Sequence, residues 1–410
     1  MSVKTKYPAG SIDATRYADG ALHLERAPLI KVGPPSTGKT EGNRTTAEAL
    51  LGGTDGHYLE VKGAWLNRPE ILLGLPTVQM INDVPLTTLT PNAMFLKLVD
   101  EPGYLNMDEV NQCPPDGMGA LMALFLERKA GFLNLHPDCW ITGAMNPSKM
   151  GTATRRMGWA LASRLCQLWI EPSAKELAEL HRQGYPVIPL NSDQSLRDRF
   201  FRQLDGIMVT FWSEVPGSIL SEEPGGWMGE PIPTSRGWRG AIGALARLRA
   251  MPDQGCIMPN MDYHRARMDA EALVVGSFVG PIMAQTFLTF ERRVSKVAPL
   301  DVLSGRELPP KGLSGAEAAA WLNGLADAVL DDGNLWWDGR RNALGDALPA
   351  LIDAFGADLL VQSIGRVARG ARDCHQKKTP GWDTYFQGRQ SFAVSMSASG
   401  FKDYTDQTGA

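Results

Sequence analysis

The chain has little cysteine, no bias in its charge and no long apolar run, and each shortage excludes something. Five cysteines stand among 410 residues, at 113, 139, 166, 256 and 374, with no C-x-x-C. So sparse and odd a set fits no disulfide framework, and a reduced cytoplasm is the expected home. Lys and Arg number 41 against 45 Asp and Glu, a formal net charge of −4. Residues 1–172 hold 16 basic and 17 acidic side chains, and the remainder holds 25 and 28. Neither part is basic, so bulk electrostatic capture of nucleic acid is not expected. The longest apolar stretch, Ala272 to Ala284, is interrupted by Ser277 and Pro281. A membrane helix needs about 20 residues, so no membrane insertion is expected. The opening MSVKTKYPAG lacks the apolar core of a signal peptide. Six histidines show no ligand spacing, which argues against zinc. There is no G-x-S-x-G, internal repeat or low-complexity tract.

What is present reads as a globular α/β chain. Apolar residues make 43% and charged residues 21%, close to globular usage. Short apolar runs at 28–32, 58–61, 103–107, 140–144 and 165–170 read as strands. Helical patterns at 45–51, 91–98, 114–127 and 157–164 fall between them. This alternation predicts a parallel sheet flanked by helices. Residues 63–90 read as irregular, and 131–135 as a hairpin arm. After Pro172 the pattern becomes helical, with segments at 173–204, after Pro233, and at 268–295 with a break near Pro281. Residues 305–313 read as a linker, and Ser314 to Glu317 as a capping box opening a further helix. The expected domains are an α/β domain over 1–172, a helical lid over 173–304 and a C-terminal helical extension over 305–410.

Three segments carry chemistry. Gly33, Pro34, Pro35, Ser36, Thr37, Gly38, Lys39 and Thr40 fit G-x-x-x-x-G-K-[ST] between a strand and a helix. Such a turn wraps phosphate oxygens in backbone N–H groups at a helix N-terminus. Lys39 would reach the β- and γ-phosphates and Thr40 would ligate Mg²⁺. A second strand ends in Asp108-Glu109, 68 residues after Thr40. Alone, such a pair is an ordinary solvated strand end. Beside a phosphate loop, Asp108 would hold the Mg²⁺ shell and Glu109 would polarise the attacking water. A third strand ends in Asn146, before Pro147. Asn146 could hydrogen-bond the lytic water or the γ-phosphate, although Asn-Pro also starts turns.

Residues 29–170 resemble the AAA+ ATPases, specifically the MoxR-like branch with a helix-2 insert. The segments that carry this are LIKVGPPSTGKT, RPEILLGLP at 68–76, LNMDEVNQCPP at 105–115, LMALFLERKAGFLNLHPDCW at 121–140, ITGAMNP and RRMGWALASRL at 155–165. The likeness is greatest to members that work beside von Willebrand factor A domain proteins. It implies that residues 33–40 are the Walker A loop, Asp108-Glu109 the Walker B pair and Asn146 the first sensor. Arg164 stands where the family has an Asn-Arg-Phe triplet bearing an arginine finger, here with Ser163 and Leu165 as its neighbours; Arg155 and Arg156 are rivals. Arg236 corresponds to the second sensor, with Arg239 as its competitor. Residues 74–90 would be the helix-2 insert and 129–139 the hairpin before the first sensor. Val78, Met80, Ile81 and Leu86 would then form either a contact patch or ordinary packing.

The resemblance implies Mg²⁺-dependent hydrolysis of ATP in a ring, a hexamer, that remodels a client protein such as a von Willebrand factor A domain protein. Two other readings compete. A nucleic-acid-coupled motor of a restriction or phage system would require a basic surface that the composition does not offer. A nucleotide-gated scaffold with little turnover would have no need of Glu109.

Overall fold

The computed structural model describes residues 11–53, 57–147, 157–183, 190–220, 229–252, 262–331, 343–356 and 359–360. The first stretch of chain forms α1 (Ile12–Leu24), β1 (Leu29–Val32), α2 (Lys39–Leu51), β2 (Tyr58–Lys62), α3 (Glu70–Leu73), β3 (Leu75–Ile81) and β4 (Val84–Thr90). Next come α4 (Lys97–Asp100), β5 (Tyr104–Asp108), α5 (Met118–Glu127), β6 (Lys129–Ala130), β7 (Leu133–Asn134), β8 (Trp140–Met145), α6 (Trp159–Ala162) and β9 (Cys166–Trp169). The rest is helical: α7 (Ala174–Gln183), α8 (Gln194–Glu214), α9 (Ser235–Arg249), α10 (Tyr263–Val279), α11 (Pro281–Val294), α12 (Pro299–Leu303), α13 (Gly315–Asp331) and α14 (Ala343–Phe355).

The described residues gather into two compact units. One comprises those up to Phe201 together with Gly217–Gln285; the other comprises Arg202–Pro216 and those from Thr286 onward. Position 172, where a domain boundary is expected from the sequence, falls inside the first unit. The reason is packing: α9 and α10 lie on α1, and α10 also covers β9. Position 304 falls inside the second unit. That unit is helical and held by aromatic contacts. Phe211 meets Phe287 and Phe290 edge-on at 5.3 and 5.4 Å, and the Trp321 indole donates to the Val297 carbonyl at 2.7 Å. The Ser314–Glu317 capping box forms as the sequence predicts, with Glu317 Oε2 accepting from Ser314 N at 2.8 Å.

The first unit is built on a five-stranded sheet ordered β2-β5-β8-β1-β9, every neighbouring pair parallel. This is the α/β arrangement expected from the alternating pattern. Side chains alternate across the sheet. Ile30, Val32, Leu105, Met107, Ile141 and Met145 lie in one apolar core with Leu121, Leu124 and Phe125 of α5. Their neighbours Lys31, Asn106 and Thr142 take the opposite face and are buried too. On that face Lys31 Nζ pairs with Asp19 of α1 at 2.7 Å. His23 Nδ1 approaches the same carboxylate at 3.1 Å, and its Nε2 meets the Tyr104 hydroxyl at 2.8 Å. Thr142 Oγ1 donates to that hydroxyl at 3.0 Å.

Three local features differ from the sequence reading. Helix α1 is absent from it, because Asp13, Asp19 and His23 sit on the buried face and hide the apolar stripe. The expected helix at 91–98 is instead a 3₁₀ turn at Ala93–Phe95 followed by α4. The stretch read as irregular contains the β3–β4 hairpin, closed by Asn82 and Asp83, both at positive φ (52° and 62°). Two such residues make the mirror-image turn that hairpins favour. Pro76 and Pro85 masked the strand pattern. Both faces of the hairpin are open: Val78 and Met80 are 70% and 66% exposed, and Ile81 and Leu86 are also exposed. Of the two alternatives for this segment, packing against the described residues is thereby excluded. Among the described residues no helix is long and apolar enough to cross a membrane.

Burial alone would raise the Asp19 pKa, but the Lys31 ammonium and then His23 outweigh it and hold it down to about 2. A depressed carboxylate contributes stability above its unfolded pKa, and that stability is lost as pH falls through the folded value. Between about pH 5 and pH 2, wild-type stability should therefore fall about 2 kcal/mol further than that of Asp19→Asn, as read by urea unfolding. At neutral pH, Lys31→Met strands a buried carboxylate and should cost about 3–5 kcal/mol.

Candidate functional site

Parallel pairing places the carboxyl ends of β5, β8 and β1 side by side. Val32 pairs with Met145, and Met107 with Gly143. The next residues along are Gly33, Asn146 and Asp108, so three loops open at one edge of the sheet, where ligands of such folds bind. The Gly33 amide extends the ladder by donating to the Met145 carbonyl at 3.3 Å.

The loop after β1 must begin with glycine. A Cβ on Gly33 would lie 2.2 Å from the Ile170 carbonyl oxygen. Ser36 and Gly38 are left-handed, with φ of 61° and 78°, whereas Thr37 between them is not. Alternation of this kind curls successive amides toward one side, the backbone habit of anion-binding nests. Thr37 Oγ1 ties the turn by donating to the Pro34 carbonyl at 2.9 Å. Gly38 caps α2 without a side-chain bond, leaving the first amides of the helix to another acceptor.

Lys39 is buried, and its ammonium is held by uncharged oxygens. It donates to the carbonyls of Gly33 and Pro34 at 2.9 and 2.6 Å and to Asn146 Oδ1 at 3.1 Å. Burial lowers its pKa; the Asp108 carboxylate pulls it back up. Thr40, the next residue, donates through Oγ1 to Asp108 Oδ1 at 3.3 Å. That oxygen also accepts from the Glu109 amide at 3.0 Å. The structure thus brings Lys39, Thr40, Asp108, Glu109 and Asn146 to one edge of the sheet.

Glu109 is held in a conformation that residues other than glycine seldom adopt, φ 52° and ψ 45°. Such a residue costs about 1–3 kcal/mol, and such residues cluster at functional sites. Gly63 permits it: a Cβ there would lie 2.3 Å from the Glu109 carbonyl oxygen. Asn111 is a site residue that sequence reading missed. Its Nδ2 donates to the Asn146 carbonyl at 2.8 Å and fixes the start of the loop after β8. The signal lay inside the D-E-V-N-Q segment, three residues after Asp108.

Arg164 follows α6 and donates to the Ala160 carbonyl at 2.6 Å. Arg236 and its rival Arg239 are exposed in the opening turns of α9. Thr234 links the two regions: it caps α9 by accepting from Gly237 N at 3.0 Å and donates to the Ser163 carbonyl at 3.3 Å. Arg155 and Arg156 lie outside the described residues.

The donors suit a magnesium–nucleotide ligand. Thr40 and Asp108 offer one hydroxyl and one carboxylate, both hard oxygens. Mg²⁺ is bound through few protein oxygens, keeping its waters and sharing the phosphates of its substrate. The Lys39 ammonium, held only by neutral acceptors, can exchange them for phosphate oxygens.

No protein-family model and no curated protein matches the chain. Among solved structures, a proposed ATPase from Cytophaga hutchinsonii is similar at 12% identity over 68% of this chain and 90% of its own, with a TM-score of 0.40. NtrX from Brucella abortus is similar at 12% identity over 93% of this chain and 68% of its own, with a TM-score of 0.23. Likenesses so distant say nothing of what this chain does.

Gly63→Ala would force the Glu109 peptide to move. It should lower the unfolding free energy by about 1–3 kcal/mol, as overpacking does elsewhere. Urea titration of the purified variant measures it, and an unchanged midpoint would show that the turn has room.

Proposed function

We propose that the chain is a Mg²⁺-dependent AAA+ ATPase that hydrolyses ATP to ADP and phosphate and acts in a ring on a partner protein, as MoxR-like proteins do. One observation carries the reading. Lys39 contacts Asn146 while the adjacent Thr40 contacts Asp108, so the helix after the phosphate loop is joined to two other strand ends at once.

In this reading the loop amides of residues 33–40 receive the phosphates and Lys39 neutralises them. Thr40 and Asp108 would hold Mg²⁺, which when bound spreads the charge of the β- and γ-phosphate oxygens. Glu109 takes the proton from the attacking water, and the Asn146 amide orients that water or the γ-phosphate. Phosphoryl transfer has little covalent chemistry for a protein to perform, so positioning and charge account for most of the rate. Arg164 would complete a neighbouring protomer's site, and Arg236 would sense the γ-phosphate within its own chain. A finger acting in trans makes the ring, six-membered by resemblance, a condition of turnover. The uncovered β3–β4 hairpin offers the apolar surface a protein partner would meet, and the resemblance suggests a von Willebrand factor A domain protein.

Lys39→Ala should abolish ATP binding. Glu109→Gln should keep binding and lose turnover by about 10²–10⁴-fold, the usual worth of a positioned base. Arg164→Ala should bind normally and lose about 10³-fold in turnover. Wild-type specific activity should rise with protein concentration as sizing detects assembly. Activity that is independent of assembly would remove Arg164 from its role, and tight binding without turnover would favour a nucleotide-gated scaffold.

A further inference from the structure

Among the described residues the Thr40–Asp108 bond is one of two side-chain hydrogen bonds between the same helix and the same strand. Asn43 stands three residues after Thr40, on the same face of α2. Asn106 stands two residues before Asp108, on the same face of β5. Asn43 Nδ2 donates to Asn106 Oδ1 at 2.8 Å, and both side chains are completely buried. Asn106 Nδ2 in turn donates to the Tyr58 hydroxyl at 3.3 Å, and that hydroxyl donates to Glu60 Oε2 at 3.3 Å. Burial and then the Glu60 carboxylate push the Tyr58 pKa up to about 12, so its proton stays in place for that bond. The chain of donors therefore fixes which end of the Asn106 amide faces α2.

A buried amide pair is a poor source of stability. Asn43 Oδ1 has no hydrogen-bond partner among the described residues. Two apolar side chains of similar size would pack there at little or no cost. What the hydrogen bond supplies and apolar packing does not is direction, because it weakens steeply away from its preferred angle. Lys39 and Thr40 tie down only the first two residues of α2, and a helix held at one end can pivot about it. Two contacts, about 4.5 Å apart along the helix and about 6.6 Å along the strand, fix tilt as well as distance. The amide pair sits one helical turn from the hydroxyl–carboxylate pair and so controls it most directly.

We infer that Asn43 and Asn106 are positioning residues, which hold Thr40 against Asp108 at the spacing a magnesium–nucleotide complex needs. The inference rests on the nucleotide reading above. Its test is the full-length Asn43→Leu/Asn106→Leu variant, titrated with a fluorescent ATP analogue in EDTA and again over a range of Mg²⁺. The urea midpoint should stay near that of the wild type, and affinity in EDTA should not change. The Mg²⁺ concentration that gives half of the metal-dependent tightening should rise about 10–100-fold, the usual loss when groups that orient metal ligands are removed. An unaltered Mg²⁺ requirement would overturn the inference, as would equal weakening with and without metal. If the double variant does not fold, Asn43→Ala, which keeps the Asn106–Tyr58 bond, is put through the same two titrations. Wild-type protein whose nucleotide binding is indifferent to Mg²⁺ would overturn the nucleotide reading itself, and this inference with it.

Discussion

Hydrogen bonding between β5, β8 and β1 is the constraint on which the candidate site depends. The three strands run parallel, so their carboxyl ends share an edge, and the register places Gly33 and Asn146 just past the last paired residues and Asp108 at the end of β5. A slip of one residue in β5 would exchange the two faces of that strand. Asp108 and Asn106 would then enter the apolar core, and Leu105 and Met107 would face α2. The apolar side chains beneath the sheet forbid that slip, so the core on one face sets the chemistry on the other.

That second face is unusual in being both buried and polar. Lys31, Asn106 and Thr142 project from three adjacent strands into a layer that contains Asp19, His23 and Asn43. Leaving any one of them unpaired would cost far more than pairing it gains. The helices on this side are thus located by directional bonds as much as by apolar packing. Helix α1 is anchored through Asp19 and His23, and α2 through Asn43 and Thr40. Under the proposed function the first residues of α2 meet a phosphate, and for such a helix orientation would matter more than adhesion.

The β3–β4 hairpin obeys a different logic. Between residues 75 and 90 only Asp83 is charged, and apolar side chains emerge on both faces. Cross-strand threonines hold it, with Thr77 Oγ1 within 2.7 Å of Thr90 Oγ1 and 3.2 Å of Thr88 Oγ1. A two-stranded ribbon of this kind is marginal in water by itself. Under the proposed function its exposed apolar surface is what a protein partner would cover.

The five strands of the parallel sheet, the G-x-x-x-x-G-K-T turn, the Asp108-Glu109 pair and Asn146 were all legible in the sequence. Each rests on local rules: strand periodicity, glycine where the backbone must turn, acidic or amide residues at strand ends. The hairpin was obscured by its prolines, although Asn82-Asp83 marks its turn. Helix α1 was obscured because its buried face carries charge, which only a partner such as Lys31 can justify. Asn111, Asn43 and Asn106 look like ordinary polar residues until the fold sets a carbonyl or an amide against them. Sequence by itself determined which groups could do chemistry, because that depends on residue type and near neighbours. Tertiary structure alone decided which of them meet, because pairing across 63 or 107 residues is set by sheet register and by what the opposite face must bury.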